Sequence, residues 1–303
     1  MSLDRRGFLK CMAWAGTGVV WTVSGGVLSS CNLIPGQGPP KGSFTFVQLS
    51  DSHVGFNKAP NADVVRTLQT AIDGVNALAD TPDLVIHTGD LTHLSKAEEF
   101  DTVDQLLKGL KVKDRFYVPG EHDNVDDNGK QYLARFGTGA QGTGWHSFDH
   151  NGVHFVGLSN VFDLPAGGLG KLGLDQLDWL QKDVTGLPAS TPIVVFAHIP
   201  LWTVYPQWGW GTGDAEQALG YLKRFGSVTV LNGHIHQVMQ KVEGNVTFHT
   251  ARSTAFPQPE PGKAAGPGPM NVPAEQLKRF LGVSRVDYKE NPGSLAIVDS
   301  TLG

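Results

Sequence analysis

Cysteine is almost missing from this 303-residue chain, which contains only Cys11 and Cys31. Both lie within the first 31 residues, so the rest of the sequence has no thiol with which to form a disulfide. That part must be stabilised by its core, and the roughly 260 residues from Ser43 onward suffice for one large core.

Basic clusters are missing as well. The chain has 24 Lys and Arg residues against 29 Asp and Glu residues, and removing Arg5, Arg6, Lys10 and Asp4 leaves 21 against 28, a net charge of −7. Nucleic acids are bound mainly through clustered basic side chains. The composition therefore argues against nucleic acid as a bulk partner.

The sequence also lacks a long hydrophobic run. Its most apolar stretch, residues 11–28, is diluted by four glycines and several hydroxyl residues, which disfavours the alternative of a membrane-spanning helix. Paired arginines at positions 5 and 6, shortly before Phe-Leu-Lys, resemble a twin-arginine export signal. We therefore expect the twin-arginine export machinery as a partner and a location outside the cytoplasm.

The N-terminal segment ends in Leu28-Ser29-Ser30-Cys31, which resembles the bacterial lipobox. Lipidation of Cys31 would anchor the protein on the periplasmic or extracytoplasmic face of the membrane, whereas ordinary cleavage near Ser30 would leave it soluble. Residues 32–42 are rich in Pro and Gly, which predicts a flexible tether. The expected organisation is a signal peptide with lipobox at 1–31, a tether at 32–42 and one domain at 43–303.

Within that domain, the apolar run Leu84-Val85-Ile86 leads directly to Gly89-Asp90. A buried parallel strand delivers a carboxylate to a sheet edge in this way, although a Gly-Asp pair alone is more often a simple turn. Four further apolar runs end in residues of metal-ligand type, in chain order: Asp51 and His53; Glu121, His122 and Asp123; His198; His234 and His236.

Helical patterns alternate with the apolar runs, at 61–79, about 95–110, 127–136, 173–184 and 214–225. Asn61 is the expected cap of the first helix, and Ser95–Glu98 has the form of a capping box at the start of the second. Closing strands are expected at 246–250 and 295–298, with a long Pro/Gly-rich surface loop at 256–273. This order predicts an α/β domain in which the carboxyl ends of the strands converge on one crevice. Imidazoles mixed with carboxylates suit Zn, Mn, Fe or Ni, and they are too many for one structural zinc ion.

Five short motifs appear in a fixed order: D-x-H at 51–53, G-D at 89–90, G-x-H-D at 120–123, a strand-end histidine at 198, and G-H-x-H at 233–236. In this order they resemble the calcineurin-like metallophosphoesterase family. The resemblance implies an α/β fold (α+β in some schemes), a four-layer sandwich of two mixed β-sheets flanked by helices. It also implies a dinuclear metal site at the strand ends.

The resemblance assigns roles to the residues of these motifs. The first metal would be held by Asp51, His53, Asp90 and His236, and the second by Asp90, Glu121, His198 and His234. His122 would touch the substrate, and Asp123 would orient His122. The cofactors would be two metal ions, divalent or mixed-valence (Fe, Mn or Zn).

The implied activity is hydrolysis of phosphate mono- or diesters of small molecules. Two cations about 3.5 to 4 Å apart can share a hydroxide, which then attacks phosphorus in line. The alternative is an exported metal- or phosphate-binding protein without turnover. Retention of both His122 and Asp123 argues against that alternative, because neither is needed merely to bind metal.

The sequence departs from the family at two positions. Glu121 stands where asparagine is usual, and its simplest interpretation is an anionic substitute in the same coordination position. His93 stands three residues after Asp90, where the purple acid phosphatase branch keeps a tyrosine ligand to iron, so it is either an additional ligand or an outer histidine. The other histidines are expected to be structural, and Trp202, Trp208 and Trp210 either line the substrate pocket or pack within their loop.

Overall fold

The computed structural model describes residues 42–303 apart from 163, 165–166 and 291–293. The expected signal peptide, the lipobox at Cys31 and the tether up to residue 41 therefore lie outside the described residues. None of the helices in the described part is both long and apolar enough to cross a bilayer.

The first of two mixed sheets has five strands in the order β11-β10-β1-β2-β3. Strands β1 (Phe44–Leu49), β2 (Leu84–His87) and β3 (Asp114–Tyr117) are parallel, whereas β10 (Gly282–Lys289) runs antiparallel to β1 and to β11 (Ser294–Thr301). Helices α1 (Val64–Asn76), α2 (Ala97–Leu107) and α3 (Lys130–Phe136) belong to the same part of the chain.

The second sheet has six strands in the order β4-β5-β6-β7-β9-β8. Strands β5 (Val153–Leu158), β6 (Ile193–Ala197), β7 (Val228–Asn232) and β9 (Val246–Thr250) are parallel. The edge strands β4 (His146–His150) and β8 (Gln240–Glu243) are antiparallel to their neighbours. Helices α4 (Leu174–Thr185) and α5 (Ala215–Leu222) accompany this sheet, and a short α6 (Leu277–Phe280) precedes β10.

Side-chain alternation along the strands produces the layers. Residues of β1 such as Val47 and Leu49 pack under α1 and α2, while Phe46 faces the second sheet. The second sheet likewise sends Val195 toward α4 and α5 and Phe196 into the space between the sheets. The prediction of two mixed β-sheets flanked by helices is confirmed.

Helix α1 shows how the sequence forms these elements and where its expected start was wrong. Its buried residues recur at helical spacing (Val64, Thr67, Leu68, Ala71, Ile72 and Val75). Its cap is Asp63, whose side chain accepts the Arg66 N–H at 3.0 Å. Asn61, the expected cap, is buried and instead donates to the Ala255 carbonyl at 2.7 Å.

The capping box expected at Ser95–Glu98 lies one residue later in the structure. Helix α2 begins at Ala97, and it is Glu99 whose carboxylate accepts the Lys96 N–H at 3.4 Å. Ser95 is buried with a left-handed backbone (φ 56°) and donates its hydroxyl to the His122 carbonyl at 2.7 Å. The Ser95 hydroxyl therefore cannot cap the helix, because it fixes the loop that carries His122.

Candidate metal centre

The candidate site lies where the carboxyl ends of the two sheets meet. Asp51 and Asp90 follow β1 and β2, and Glu121 begins a 3-10 helix after β3. From the other sheet, His198 follows β6 and the segment with His234 follows β7. The His234 N–H donates to both carboxylate oxygens of Asp51, at 3.1 and 3.2 Å, which links the two sheets at this point.

Most of the expected ligands have a left-handed backbone, which is uncommon outside glycine. Their φ angles lie between 41° and 69° (Asp51, His53, Asp90, His234 and His236). Such a conformation costs roughly 1 kcal/mol or more per residue, and residues held in this way cluster at functional sites. Packing at the strand ends therefore fixes the direction in which these side chains point.

The glycines in the motifs permit close approach between the loops. A Cβ on Gly120 would lie 2.3 Å from the Asp90 backbone nitrogen, and one on Gly233 would lie 2.1 Å from Ser50 Oγ. Any larger residue at either position would push the loops apart. The motifs G-x-H-D and G-H-x-H thus need the glycine at their first position for packing, independently of any chemistry.

The first group comprises Asp51, His53, Asp90 and His236, all buried. His53 Nε2 lies 3.2 Å from His236 Nε2 and 3.4 Å from Asp90 Oδ2, and His236 Nε2 lies 3.2 Å from Asp51 Oδ1. The structure thus brings together the four residues expected at the first metal.

The second group comprises Asp90, Glu121, His198 and His234. Glu121 places Oε2 at 2.8 Å from His198 Nε2 and Oε1 at 2.9 Å from His234 Nδ1. Asp90 Oδ2 lies 3.4 Å from His198 Nε2, the same distance as from His53 Nε2. Asp90 therefore lies between the two groups, as the bridging position requires.

Both groups suit cations by their chemistry. Among the described residues, the buried atoms Glu121 Oε2, His198 Nε2 and His234 Nδ1 have no partner in hydrogen-bond geometry, although they lie close together. Buried polar atoms without partners are costly unless an ion or a water satisfies them. Carboxylate oxygens and imidazole nitrogens are the ligands that Zn, Mn and Fe accept. The residues therefore fit two metal ions.

Hydrogen bonds behind the ligands set which imidazole nitrogen is presented. His198 Nδ1 donates to the Thr88 carbonyl at 2.7 Å, and His236 Nδ1 donates to the Phe256 carbonyl at 2.6 Å. Each contact leaves Nε2 to face the site, which is how metal-binding histidines are usually oriented.

Two of the buried carboxylates and one of the buried histidines have the charge states that ligands need. Burial would raise the pKa of Asp51, but the neighbouring His236 lowers it to about 2. Burial would also raise the pKa of Glu121, but His234 and His198 hold it well below its usual range. Burial, together with His122 and His236, holds the pKa of His53 well below the ordinary value. Ionised carboxylates and a neutral His53 can bind a cation without first losing a proton.

His122 lies at the edge of this arrangement. Its backbone N–H donates to Asp90 Oδ1 at 2.9 Å and its Nδ1 donates to the His93 carbonyl at 2.7 Å, which leaves Nε2 for other contacts. Burial would lower the pKa of His122, but the charges of Asp90 and Glu121 raise it above the ordinary value.

The expected orienting role of Asp123 needs correction, because the bond that orients the His122 ring comes from the His93 carbonyl. The Asp123 carboxylate accepts the N–H groups of Leu91, Thr92 and Gly120 at 2.9 to 3.1 Å. Burial and the neighbouring Asp90 carboxylate raise the pKa of Asp123 to about 7. Asp123 therefore joins the loop after β2 to the loop after β3, and its charge also contributes to raising the pKa of His122.

His93 lies beside His53 but apart from the other residues of the first group. Its Nδ1 lies 3.4 Å from His53 Nδ1, on the side of the His53 ring opposite to the nitrogen that faces Asp90 and His236. Its ring stacks on His122, with centroids 4.9 Å apart and planes 14° apart. This position favours the outer histidine over the additional ligand, the two alternatives left open by the sequence.

Most remaining histidines and the tryptophans have structural contacts. His87 Nε2 lies 2.8 Å from Ser52 Oγ, and His154 lies between Asp149 and Asp183. Trp208 and Trp210 are buried together with Ile235. Because Ile235 lies between His234 and His236 in the chain, this packed loop supports the segment that carries both.

Sequence reasoning missed two glutamines that hold the same segment. Gln258 donates to the His234 carbonyl at 3.0 Å, and Gln237 donates to the carbonyls of Gln258 and Pro259 at 3.0 and 2.7 Å. The start of the Pro/Gly-rich segment is thus part of the site. Its unusual length was the only sequence signal for this role.

Comparison with known proteins identifies a family for this chain. The family model described as calcineurin-like phosphoesterase matches residues 44–238. A probable glycerophosphodiester phosphodiesterase GpdQ of Arcobacter nitrofigilis is 27% identical over 68% of this chain and 77% of its own length. A serine/threonine-protein phosphatase CPPED1 of Danio rerio is 26% identical over 65% of this chain and 71% of its own.

Solved structures share the fold. A dimetal phosphatase from Danio rerio superposes with a TM-score of 0.60 and 14% identity over 86% of this chain and 98% of that chain. A purple acid phosphatase from yellow lupin superposes with a TM-score of 0.56 and 11% identity over 85% of this chain and 54% of that chain.

Proposed function

The chain belongs to the calcineurin-like phosphoesterase family, and from this premise we propose that it is an exported metallophosphoesterase that hydrolyses small phosphodiesters at a two-metal centre. One observation carries the site assignment. Asp90 Oδ2 lies 3.4 Å from His53 Nε2 and 3.4 Å from His198 Nε2, and thus between two clusters of ligand atoms.

In this proposal the first group, with Asp51, His53, Asp90 and His236, holds one ion. The second group, with Asp90, Glu121, His198 and His234, holds the other. When bound, the two ions would lower the pKa of a water molecule and neutralise charge on the phosphoryl oxygens.

His122 would supply the proton for the leaving group. Hydrolysis joins one water oxygen to phosphorus and breaks the bond from phosphorus to the leaving oxygen, whose electron pair takes a proton from His122 Nε2. The ring is suited to this role because Nδ1 is held by the His93 carbonyl, so that Nε2 is the nitrogen free to meet the substrate.

The preference for diesters rests on Glu121. A site with two divalent ions, one hydroxide and three carboxylates (Asp51, Asp90 and Glu121) is neutral, whereas an amide in place of Glu121 would leave it with one positive charge. A neutral site attracts a dianionic monoester less strongly than a positive one does. The names of two relatives, a probable glycerophosphodiester phosphodiesterase and a cyclic-nucleotide phosphodiesterase, support the same substrate class.

Export and anchoring rest on the sequence of the first 31 residues. In the described part, the chain enters at residues 42–44, at the amino end of β1, whereas Asp51 follows the carboxyl end of that strand. A tether from Cys31 would thus join the domain at the end of β1 remote from the site. The double substitution Arg5→Lys with Arg6→Lys should keep the protein in the cytoplasm, and Cys31→Ser should release it from the membrane. Efficient periplasmic delivery of the double variant would overturn the export proposal.

The decisive test of the activity is metal analysis of protein folded in its native host, paired with a panel of phosphate mono- and diesters. We expect two metal ions per chain and turnover that favours diesters, is lost after chelation and returns when metal is restored. A protein that holds both ions and turns over no ester would instead be the binding protein left open by the sequence.

A further inference from the structure

His93 contacts two residues that the proposed reaction uses in different ways. Its Nδ1 lies 3.4 Å from Nδ1 of His53, one of the four residues of the first group. Its carbonyl accepts the Nδ1–H of His122 at 2.7 Å, and its ring lies against the His122 ring, with centroids 4.9 Å apart and planes 14° apart. One residue thus links an expected metal ligand to the expected acid.

The contact with His53 determines which nitrogen of each ring carries the proton. His53 faces Asp90 and His236 with Nε2, and a nitrogen that binds a metal ion must be free of its proton. The proton of the neutral His53 ring then lies on Nδ1, with His93 Nδ1 as its acceptor. Such a partner fixes the direction of a ligating histidine and makes it a better ligand, and loss of the partner typically weakens metal binding about 10- to 100-fold.

The contacts with His122 act on a different property, the plane of its ring. A hydrogen bond at Nδ1 alone would leave the ring free to turn about that bond. The stacked ring of His93 removes this freedom, since aromatic rings at this separation prefer a defined packing. A general acid must keep its proton within hydrogen-bond reach of the leaving oxygen, so the ring plane decides where Nε2 points.

The His93 ring is itself held in place by the fold. Its backbone N–H donates to the Val54 carbonyl at 2.9 Å. The ring of Phe56, which is buried, meets the His93 ring edge on, with centroids 5.2 Å apart and planes 84° apart. Phe56 packs in turn against Phe256 at 4.5 Å. The position of His93 therefore depends on packing on the side of its ring away from the two ligand groups.

We propose that His93 is a positioning residue with two separable actions. Its Nδ1 accepts the proton of His53 and strengthens metal binding by the first group, and its ring face holds His122 in the plane needed for proton transfer. The second action rests on the proposed hydrolysis with His122 as the acid. The first action concerns metal binding and does not depend on turnover.

Two substitutions separate these actions, and both keep the backbone carbonyl of residue 93. His93→Asn offers an amide oxygen as acceptor and removes the ring, whereas His93→Phe keeps a ring and removes the acceptor. The matched controls are His150→Asn and His150→Phe. His150 is also half-buried and meets an aromatic ring, that of Phe44, at 4.7 Å, but it lies at the amino end of β1, remote from the site.

Metal affinity tests the first action. Chelator competition with the Zn²⁺-loaded protein should show that His93→Phe weakens one ion about tenfold or more and leaves the other unchanged. His93→Asn and both His150 variants should stay near wild type. Combining His93→Phe with Glu121→Gln, which alters the second group, should weaken both ions. Wild-type affinity for both ions in His93→Phe, or the same loss in His93→Asn, would overturn the first action.

The leaving-group dependence of kcat tests the second action at saturating Zn²⁺. We expect His93→Asn to lower kcat about tenfold for phosphodiesters with poor leaving groups, and much less for those with good ones, with KM unchanged. His93→Phe should keep the wild-type dependence. A merely structural role would lower kcat equally for all these esters. An equal loss in His93→Asn would therefore overturn the second action.

Proton–nitrogen correlation spectra of the Zn²⁺-loaded protein with isotope-labelled histidine read the ring protons without turnover. We expect His93, identified by the signals missing from His93→Asn, to carry its proton on Nε2, and His53 to carry its proton on Nδ1. A proton on His93 Nδ1 would overturn the first action even if esters are hydrolysed. The expected protons together with the metal loss in His93→Phe, but without turnover of any ester, would keep the first action and overturn the proposed hydrolysis.

Discussion

Replacing Glu121 by glutamine removes one negative charge from the site and keeps the length of the side chain. In the structure the two carboxylate oxygens lie 2.8 Å from His198 Nε2 and 2.9 Å from His234 Nδ1, where a cation would be shared among all three residues. At about 4 Å and an effective dielectric constant of about 20, one unit charge pair contributes roughly 4 kcal/mol. An amide costs less to desolvate and still offers one oxygen, so part of this loss is offset. We therefore expect Glu121→Gln to weaken retention of the second ion on the order of a hundredfold.

The assay is metal content after dialysis against a graded series of chelator concentrations. Wild-type protein should lose its two ions over a narrow range, whereas Glu121→Gln and the shorter Glu121→Asn should lose one ion much earlier and keep the other. Glu216→Gln removes the same charge from an exposed position on α5 and should behave as wild type.

A second consequence concerns the substrate. With Glu121 neutral, the loaded site gains one positive charge, so inorganic phosphate and monoesters should bind more tightly relative to diesters. This comparison needs metal at saturating concentration, so that loss of an ion does not obscure it. If both variants keep two ions as firmly as wild type, with an unchanged preference between monoesters and diesters, Glu121 lies outside the coordination shell and the charge argument is wrong.

Three further predictions concern residues with distinct roles. Asp90→Ala should remove metal from both positions, because the Asp90 carboxylate lies between the two groups. Elemental analysis that finds one site still fully occupied would refute a bridging role for Asp90. His122→Ala should keep both ions and lose on the order of a hundredfold in kcat, with a smaller loss for substrates that have good leaving groups. An equal loss for all leaving groups would contradict the role of His122 as the acid. Burial would lower the pKa of His154, but hydrogen bonds to Asp183 and Asp149 raise it above the ordinary value. The stability that this raised pKa contributes is present below about pH 6.5 and is lost as pH rises through the folded-state pKa. The free energy of unfolding of His154→Gln, measured by denaturation, should therefore fall less than that of the wild type as pH rises above about 6.5. The same pH dependence in both proteins would exclude this contribution of His154.

The strand ends were predictable because their signal is local. An apolar run followed by glycine and a ligand-type residue is contained in fewer than about ten residues, and parallel strands bring such ends to one edge. Strand β10 lacks that signal, because only alternate residues such as Ser284, Val286 and Tyr288 are buried and charged residues stand between them. The orientation of His122 could not be predicted either, because it depends on the His93 carbonyl, a backbone group that every residue possesses.

Several of the residues that orient the ligands come from the part of the chain beyond residue 238, where the family match ends. The Phe256 carbonyl accepts His236 Nδ1, Gln258 donates to the His234 carbonyl, and the Ser253 hydroxyl donates to the Asp51 carbonyl at 2.7 Å. Ligand positions in this chain therefore depend on a segment that the family pattern does not include. Because imidazole orientation and basicity follow from such outer contacts, members of the family with the same ligand set but a different final third can differ in metal affinity and rate.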